Sequence, residues 1–158
     1  MLIQQTIRGM CTLRLKAMAQ ALELQRGNPA LQEMCFEDRL GLLVEHELQA
    51  RESRRVGRLL KGARLKANDA SLEDIDFRTS RGMDKRQITS LMSCDWIVKG
   101  QNLILTGPTG AGKTWIACAF GNQAARRGLP VLYRRLPRLL EEMEIAREDG
   151  SLLKLRQQ

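Results

Sequence analysis

The sequence predicts an α/β protein, in which an all-helical N-terminal domain precedes the first part of a P-loop nucleotide-binding domain with a parallel sheet. Three observations support this prediction. Apolar residues recur at helical spacing through the N-terminal part of the 158-residue chain. A glycine-rich motif of the kind that binds phosphate occupies residues 107–114. Short apolar runs, typical of buried parallel strands, precede that motif and follow the helix after it.

The N-terminal domain is predicted over residues 1–67 and contains two long helices. Apolar residues at intervals of three to five predict an amphipathic helix over residues 2–25. The sequence Gly-Asn-Pro at residues 27–29 ends it. A second helical pattern runs from about Phe36 to Lys66, and its internal glycines allow it to bend or divide.

The second helix carries a basic face. Its positions i, i+3, i+4 and i+7 hold Arg51, Arg54, Arg55 and Arg58. A solvated helix face normally mixes charges of both signs, whereas Glu52 is the only acid between Arg51 and Lys66. The net charge of +8 and the pI near 9.9 also favour a polyanionic partner. We therefore predict a contact surface for the phosphate backbone of double-stranded DNA, with an ordinary exposed face as the alternative.

Residues 68–100 are predicted to form a connector with short helices. Patterns that resemble capping boxes begin at Ser71 and Asp84, and Gly100 is a helix stop.

Residues 101–158 are predicted to form the P-loop unit. Its first strand is expected over residues 102–106, and the helix after the glycine motif ends near Gly128. A second strand is expected over residues 131–134. A further helix is predicted from Pro137 to Arg147, because proline suits the first helical turn. A last helical piece follows Ser151.

The glycine motif fits the P-loop pattern, and its residues are Gly107, Pro108, Thr109, Gly110, Ala111, Gly112, Lys113 and Thr114. Its glycines permit backbone angles that other residues avoid, so that N–H groups can turn toward phosphates. The helix N-terminus that follows adds partial positive charge. Lys113 is predicted to reach the β- and γ-phosphates of a nucleoside triphosphate, and the Thr114 hydroxyl to ligate Mg²⁺. An ordinary glycine-rich turn is the alternative.

Composition argues against several other classes of protein. No run of about twenty apolar residues is present, so no membrane span is expected. Residues 1–20 lack an uncharged signal core, which predicts a cytoplasmic protein. The four cysteines are widely separated and contain no C-x-x-C pair, so reduced thiols are expected. His46 is the only histidine, which excludes a site that needs two.

Five stretches of the sequence point to one family. They are residues 36–43, 50–55, 72–77, 110–114 and 146–152. With these stretches the chain resembles, over nearly its whole length, the IstB-like ATP-binding proteins. These are the helper ATPases encoded beside the transposase in bacterial insertion sequences, and they are related to DnaC-type helicase loaders of the AAA+ class.

The resemblance implies an ATP-controlled oligomer that assembles on duplex DNA, deforms it and helps a partner transposase to engage its target. It implies ATP at residues 107–114, Mg²⁺ at Thr114, and DNA on the N-terminal basic face. It also points to Arg134, Arg135 and Arg138, because this region faces nucleic acid in related loaders. A local surface cluster is the alternative for these three arginines.

The sequence departs from the family pattern after the second predicted strand. It supplies no apolar strand ending in two acids (the Walker B site), no later sensor residue and no arginine finger. We therefore expect an incomplete N-terminal portion that has no complete catalytic set and hydrolyses little or no ATP alone. Two other readings stay open: a helicase loader, and a non-enzymatic fragment that binds DNA or co-assembles with full-length copies. A P-loop kinase has no support beyond the loop.

Overall fold

A computed structural model describes residues 2–77 and 83–156. Within those ranges the structure is helical, with one short 3₁₀ turn at Leu72–Asp74. The helices are α1 (Leu2–Thr12), α2 (Lys16–Arg26), α3 (Pro29–Gln32), α4 (Phe36–Ala63), α5 (Lys85–Leu91), α6 (Asp95–Val98), α7 (Lys113–Arg126), α8 (Leu136–Glu148) and α9 (Leu152–Arg156). The chain divides into two compact units within α4, one up to Arg58 and the other from Leu59 onward. No helix in these ranges is long and apolar enough to cross a membrane.

The N-terminal unit begins with two helices where the sequence predicts one over residues 2–25. The helix stops because Arg14 adopts a left-handed conformation, with φ of 61°. The Leu15 N–H then donates to the Met10 carbonyl at 2.8 Å, and the Arg14 N–H donates to the Cys11 carbonyl at 3.0 Å. This hydrogen-bond pattern is typical of a helix C-terminus, but it forms here without the glycine that is its usual sequence signal. The single-helix prediction is therefore wrong.

The other helix boundaries of this unit follow the sequence. Helix α2 ends at Arg26, and the Asn28 side chain caps α3 by accepting from the Ala30 N–H at 3.1 Å. The break predicted at residues 27–29 is confirmed. Helix α4 then runs without interruption for 28 residues, so the long second helix is also confirmed, and its glycines do not divide it.

The second unit is built around α7. This helix buries Ile116, Ala119 and Phe120 against apolar side chains of the preceding segments, including Leu65 and Leu72. The Phe120 ring also meets the Trp96 ring edge to face, with ring centroids 6.3 Å apart. Burial of this apolar surface positions the N-terminus of α7, and therefore the glycine motif before it.

The four cysteines are free thiols with contrasting environments. Cys11 and Cys35 are exposed in the N-terminal unit, whereas Cys94 and Cys118 are buried in the second. Burial raises the pKa of the Cys94 thiol above its usual value.

The predicted α/β fold class is wrong, because the described residues contain no β-strand and no parallel sheet. The apolar runs at residues 102–106 and 131–134 are present but have no regular structure. Ile104 is 80% exposed, and the Tyr133 N–H donates to the Ala63 carbonyl at the end of α4 instead of to a strand. Two isolated segments offer too little backbone pairing and apolar cover to form a parallel sheet, whose strands are normally buried on both faces.

The helices predicted in this half are confirmed. Helix α7 follows the glycine motif and ends just before Gly128. Helix α8 has Pro137 in its first turn, and α9 follows Ser151. Short helices occupy the connector, and the Asp84 side chain caps α5 by accepting from the Arg86 N–H at 2.8 Å.

Candidate functional site

The glycine motif forms a loop that ends at the N-terminus of α7. Three of its glycines have positive φ angles, which are 147° at Gly107, 81° at Gly110 and 85° at Gly112. Side chains with a Cβ rarely adopt these angles, which explains why glycine stands at these positions. Helix α7 begins at Lys113, so its unpaired N–H groups and partial positive charge lie at the end of the loop.

The Lys113 side chain folds back over this loop. Its ammonium donates to the Gly107 carbonyl at 2.9 Å and to the Pro108 carbonyl at 2.7 Å. The two hydrogen bonds place the positive charge within the curve of the loop. Thr114, the next residue, is exposed. The loop therefore offers a cation, a hydroxyl and backbone donors within one short stretch of chain.

Two cavities flank the loop. One of about 270 Å³ is lined by apolar side chains, among them Ile88, Leu105 and Phe120, and by polar groups that include Lys113. The other, of about 490 Å³, is lined by residues of the loop, among them Thr114, together with Lys66. Small-molecule sites combine apolar walls with a few polar groups in this way, and both cavities adjoin the predicted phosphate-binding residues.

A metal ion at this loop would depend on Thr114. The described residues contain no cluster of three or more His, Cys, Asp or Glu side chains that could hold a metal by themselves. Mg²⁺ commonly takes one or two protein oxygens and completes its shell with phosphate and water, so an exposed hydroxyl beside a loop predicted to bind a triphosphate fits that ion. Asp149 is engaged locally, because hydrogen bonds from the Ser151 side chain and from the Ser151 N–H, the latter at 2.8 Å, keep the pKa of this carboxyl below its usual value.

The four predicted DNA-binding arginines all lie on α4 and are exposed. Because α4 is continuous, their spacing places them on one helix face. Three of these arginines form ion pairs with acidic side chains of the same helix, however. Arg51 and Arg54 form ion pairs with Glu47 at 2.9 and 3.3 Å, and Arg55 pairs with Glu52 at 3.6 Å.

Glu47 is a residue of this face that the sequence analysis did not single out. It is only 4% exposed, and the Arg51 guanidinium and the Met18 and Ala17 N–H groups hold the pKa of its carboxyl below the usual value. The signal that could have found it is its spacing, since Glu47 precedes Arg51 by four residues. The long-range partners Ala17 and Met18 leave no trace in the local pattern.

The three arginines after the second apolar run differ from one another. Arg134 is partly buried, and its Nη1 contacts both carboxylate oxygens of Glu142, at 2.9 and 3.0 Å. Arg135 lies at the N-terminal boundary of α8, and Arg138 lies in its first turns; both are exposed. Arg135 and Arg138 are thus better placed than Arg134 to meet a large polyanion.

Comparison with known proteins identifies relatives along almost the whole chain. The sequence profile of a family described as an IstB-like ATP binding protein matches residues 9–158. A protein of Pseudomonas fluorescens named for ATP binding in insertion sequence IS1162 is 51% identical over 158 residues, which is 100% of this chain and 68% of the relative. An insertion-sequence ATP-binding protein of Sinorhizobium fredii is 37% identical over 98% of this chain and 63% of its own length.

A third relative, named for ATP binding in insertion sequence IS21 of Pseudomonas aeruginosa, is 30% identical over 92% of this chain. The chain spans 55% of the length of that relative.

Proposed function

Because this chain belongs to the IstB-like ATP-binding protein family, we propose that it is an ATP-binding and DNA-binding helper of insertion-sequence transposition. The observation that carries the proposal is the loop before α7, where three glycines with positive φ, a lysine and a helix N-terminus converge. Such a loop suits the phosphates of a nucleotide.

In this proposal, residues 107–114 hold the triphosphate of ATP. The backbone N–H groups of the loop and of the first turn of α7 donate to the phosphate oxygens. The Lys113 ammonium exchanges its hydrogen bonds with the Gly107 and Pro108 carbonyls for hydrogen bonds with the β- and γ-phosphates. The Thr114 hydroxyl is the protein ligand of Mg²⁺, which neutralises phosphate charge when bound.

The basic face of α4 is proposed to contact duplex DNA through Arg51, Arg54, Arg55 and Arg58. The exposure of these side chains and the net charge of +8 support contact with phosphates, whose charge does not depend on base sequence. Arg135 and Arg138 are secondary candidates. The proposed partners are therefore double-stranded DNA, other copies of the chain assembled on it, and a transposase. The cytoplasm is the proposed compartment.

Duplex-DNA binding across a salt series, with and without ATP and Mg²⁺, tests the proposal. We expect ATP to raise the affinity of the wild-type chain for DNA, and Lys113→Ala to abolish that increase. Lys99→Ala removes an exposed lysine of the same unit and serves as the matched control. In a direct titration with ATP, Lys113→Ala should bind weakly or not at all, whereas the wild-type chain and Lys99→Ala should bind.

The two halves of the proposal can fail separately. Duplex binding that ignores ATP but is lost when the four α4 arginines become alanine would support a DNA-binding fragment without nucleotide control. A wild-type chain that binds ATP but no duplex at low salt would overturn the DNA-binding half. Arg8→Ala, on exposed α1, controls for the loss of one positive charge away from the basic face.

A further inference from the structure

Both carboxylate oxygens of Glu47 accept hydrogen bonds. Oε2 accepts from the Ala17 N–H at 2.9 Å and from the Met18 N–H at 3.1 Å. Oε1 accepts from Arg51 Nε at 2.9 Å and from Arg54 Nη2 at 3.3 Å. One nearly buried side chain therefore connects the start of α2 with two arginines of the basic face.

The start of α2 needs an acceptor from elsewhere in the chain. Leu15 occupies the N-cap position and makes no side-chain hydrogen bond, and the first turn of α2 contains no acid. The N–H groups of the second and third residues of a helix otherwise lack partners. Glu47 supplies the acceptor from α4 and also complements the positive helix end.

The same carboxylate fixes how the two arginines can point. Arg51 uses its Nε to reach Glu47, and Arg54 uses Nη2 while its Nε donates to the Ala50 carbonyl at 3.0 Å. A guanidinium has five N–H donors, so each arginine keeps donors beyond these bonds. The side chains remain 53% and 56% exposed, which leaves those donors accessible to a large anion.

We propose that Glu47 is a positioning residue of the duplex-binding surface, which holds Arg51 and Arg54 in fixed orientations so that their remaining N–H groups meet DNA phosphates. The inference rests on the proposed DNA-binding function. Holding the arginines in advance reduces the conformational entropy that binding would otherwise cost. A carboxylate at this place thereby favours binding to a polyanion, although its own charge repels it.

The proposal therefore predicts that removal of the Glu47 charge weakens DNA binding, which is the opposite of what electrostatic repulsion alone predicts. Glu45 lies two residues away on α4 and is exposed, so Glu45→Gln and Glu47→Gln change the net charge equally. Loss of an acid from a DNA-binding protein should leave affinity unchanged or raise it, and we expect that result for Glu45→Gln. For Glu47→Gln we expect duplex affinity to fall about fivefold, as two long side chains lose their preferred orientation.

Two further measurements separate positioning from a general structural effect. In an Arg51→Ala/Arg54→Ala background, Glu47→Gln should cause no additional loss of affinity, because the arginines it positions are gone. The active fraction, from titration at high DNA concentration, should stay near that of wild type. If Glu47→Gln alone does not fold, the comparison is repeated in Leu15→Ser, which offers α2 its own N-cap.

Equal duplex affinity of Glu47→Gln and Glu45→Gln would overturn the inference and leave the proposed function standing. An undiminished effect of Glu47→Gln in the background without Arg51 and Arg54 would also overturn it. If the wild-type chain binds no duplex, the proposed function and the inference both fail.

Discussion

Glu47 and Lys113 show how one charged side chain can organise several backbone groups. Glu47 accepts from two N–H groups at the start of α2, and Lys113 donates to two carbonyls of the glycine loop. In both cases the charge faces backbone groups that the local structure leaves without regular partners. The two residues therefore support the structure around the proposed sites as well as their chemistry.

Acid should weaken the N-terminal unit through Glu47. Hydrogen bonds from Arg51 and from the Met18 and Ala17 N–H groups lower the pKa of this carboxyl below its usual value, so the ionised form stabilises the fold above the pKa of the unfolded chain. The contribution is lost as the pH falls through the lowered value. We expect the melting temperature of wild type to fall more steeply between pH 6 and pH 3 than that of Glu47→Gln, as circular dichroism would measure.

Glu47→Gln should keep part of the wild-type acid response, because folding also lowers the pKa values of Glu73 and Asp149. Parallel acid curves for wild type and Glu47→Gln would contradict this account.

Gly112→Ala should impair the nucleotide loop through backbone strain alone. The φ angle is 85°, and an added Cβ would meet no atom within 4 Å. Alanine in the left-handed region costs about 1–2 kcal/mol, so we expect lower stability and weaker ATP binding. Gly62→Ala lies in α4, also meets nothing within 4 Å, and should stabilise by about 0.5–1 kcal/mol. Denaturant unfolding of both variants checks the opposite signs.

At the scale of elements, α7 follows the glycine loop and also contacts the connector through a side chain. Asn122 on this helix is buried, and its side-chain amide donates to the Ala70 carbonyl at 2.6 Å and to the Asn68 carbonyl at 3.1 Å. These bonds satisfy carbonyls in a segment without regular secondary structure.

Asn122→Ala should therefore destabilise the second unit by about 1–3 kcal/mol, because it leaves a buried carbonyl without its donor. Asn68→Ala also removes an asparagine side chain, but this side chain is exposed, and the backbone carbonyl that Asn122 contacts is kept. We expect it to be nearly neutral. Equal unfolding midpoints for the two variants in urea would rule out this role for Asn122.

Local signals predicted the elements that depend on local interactions. Helices α4, α7 and α8 were predictable from apolar spacing, glycine and proline. The predicted strands were wrong because a strand forms only when another strand pairs with it. The apolar run around Ile104 does not show whether such a partner is present. Residue Arg14 ended a helix without a recognisable stop signal. Within the candidate site, the glycine motif predicted the loop before α7 at residues 107–114, whereas the contacts of Glu47 with α2 could not be predicted from the local pattern.

At the scale of the whole molecule, the number of DNA phosphates that the positive charges neutralise should govern how affinity depends on salt. If the four α4 arginines each neutralise one phosphate, log K against log salt concentration should have a slope of about −4. Arg58→Ala should reduce the steepness by about one unit, and by the same amount for unrelated duplex sequences. A slope near zero, or strong dependence on base sequence, would exclude a surface of this kind.

The distribution of thiols gives the molecule its own reporter of local opening. Cys94 and Cys118 are at most 1% exposed, so a thiol reagent reaches them only when the second unit opens, whereas Cys11 and Cys35 react from the folded state. The slow labelling phase therefore measures the free energy of opening of one unit without any introduced probe. A ligand that binds only the closed loop must slow that phase in proportion to its saturation, so ATP affinity can be obtained from reaction rates at the two buried sulfurs.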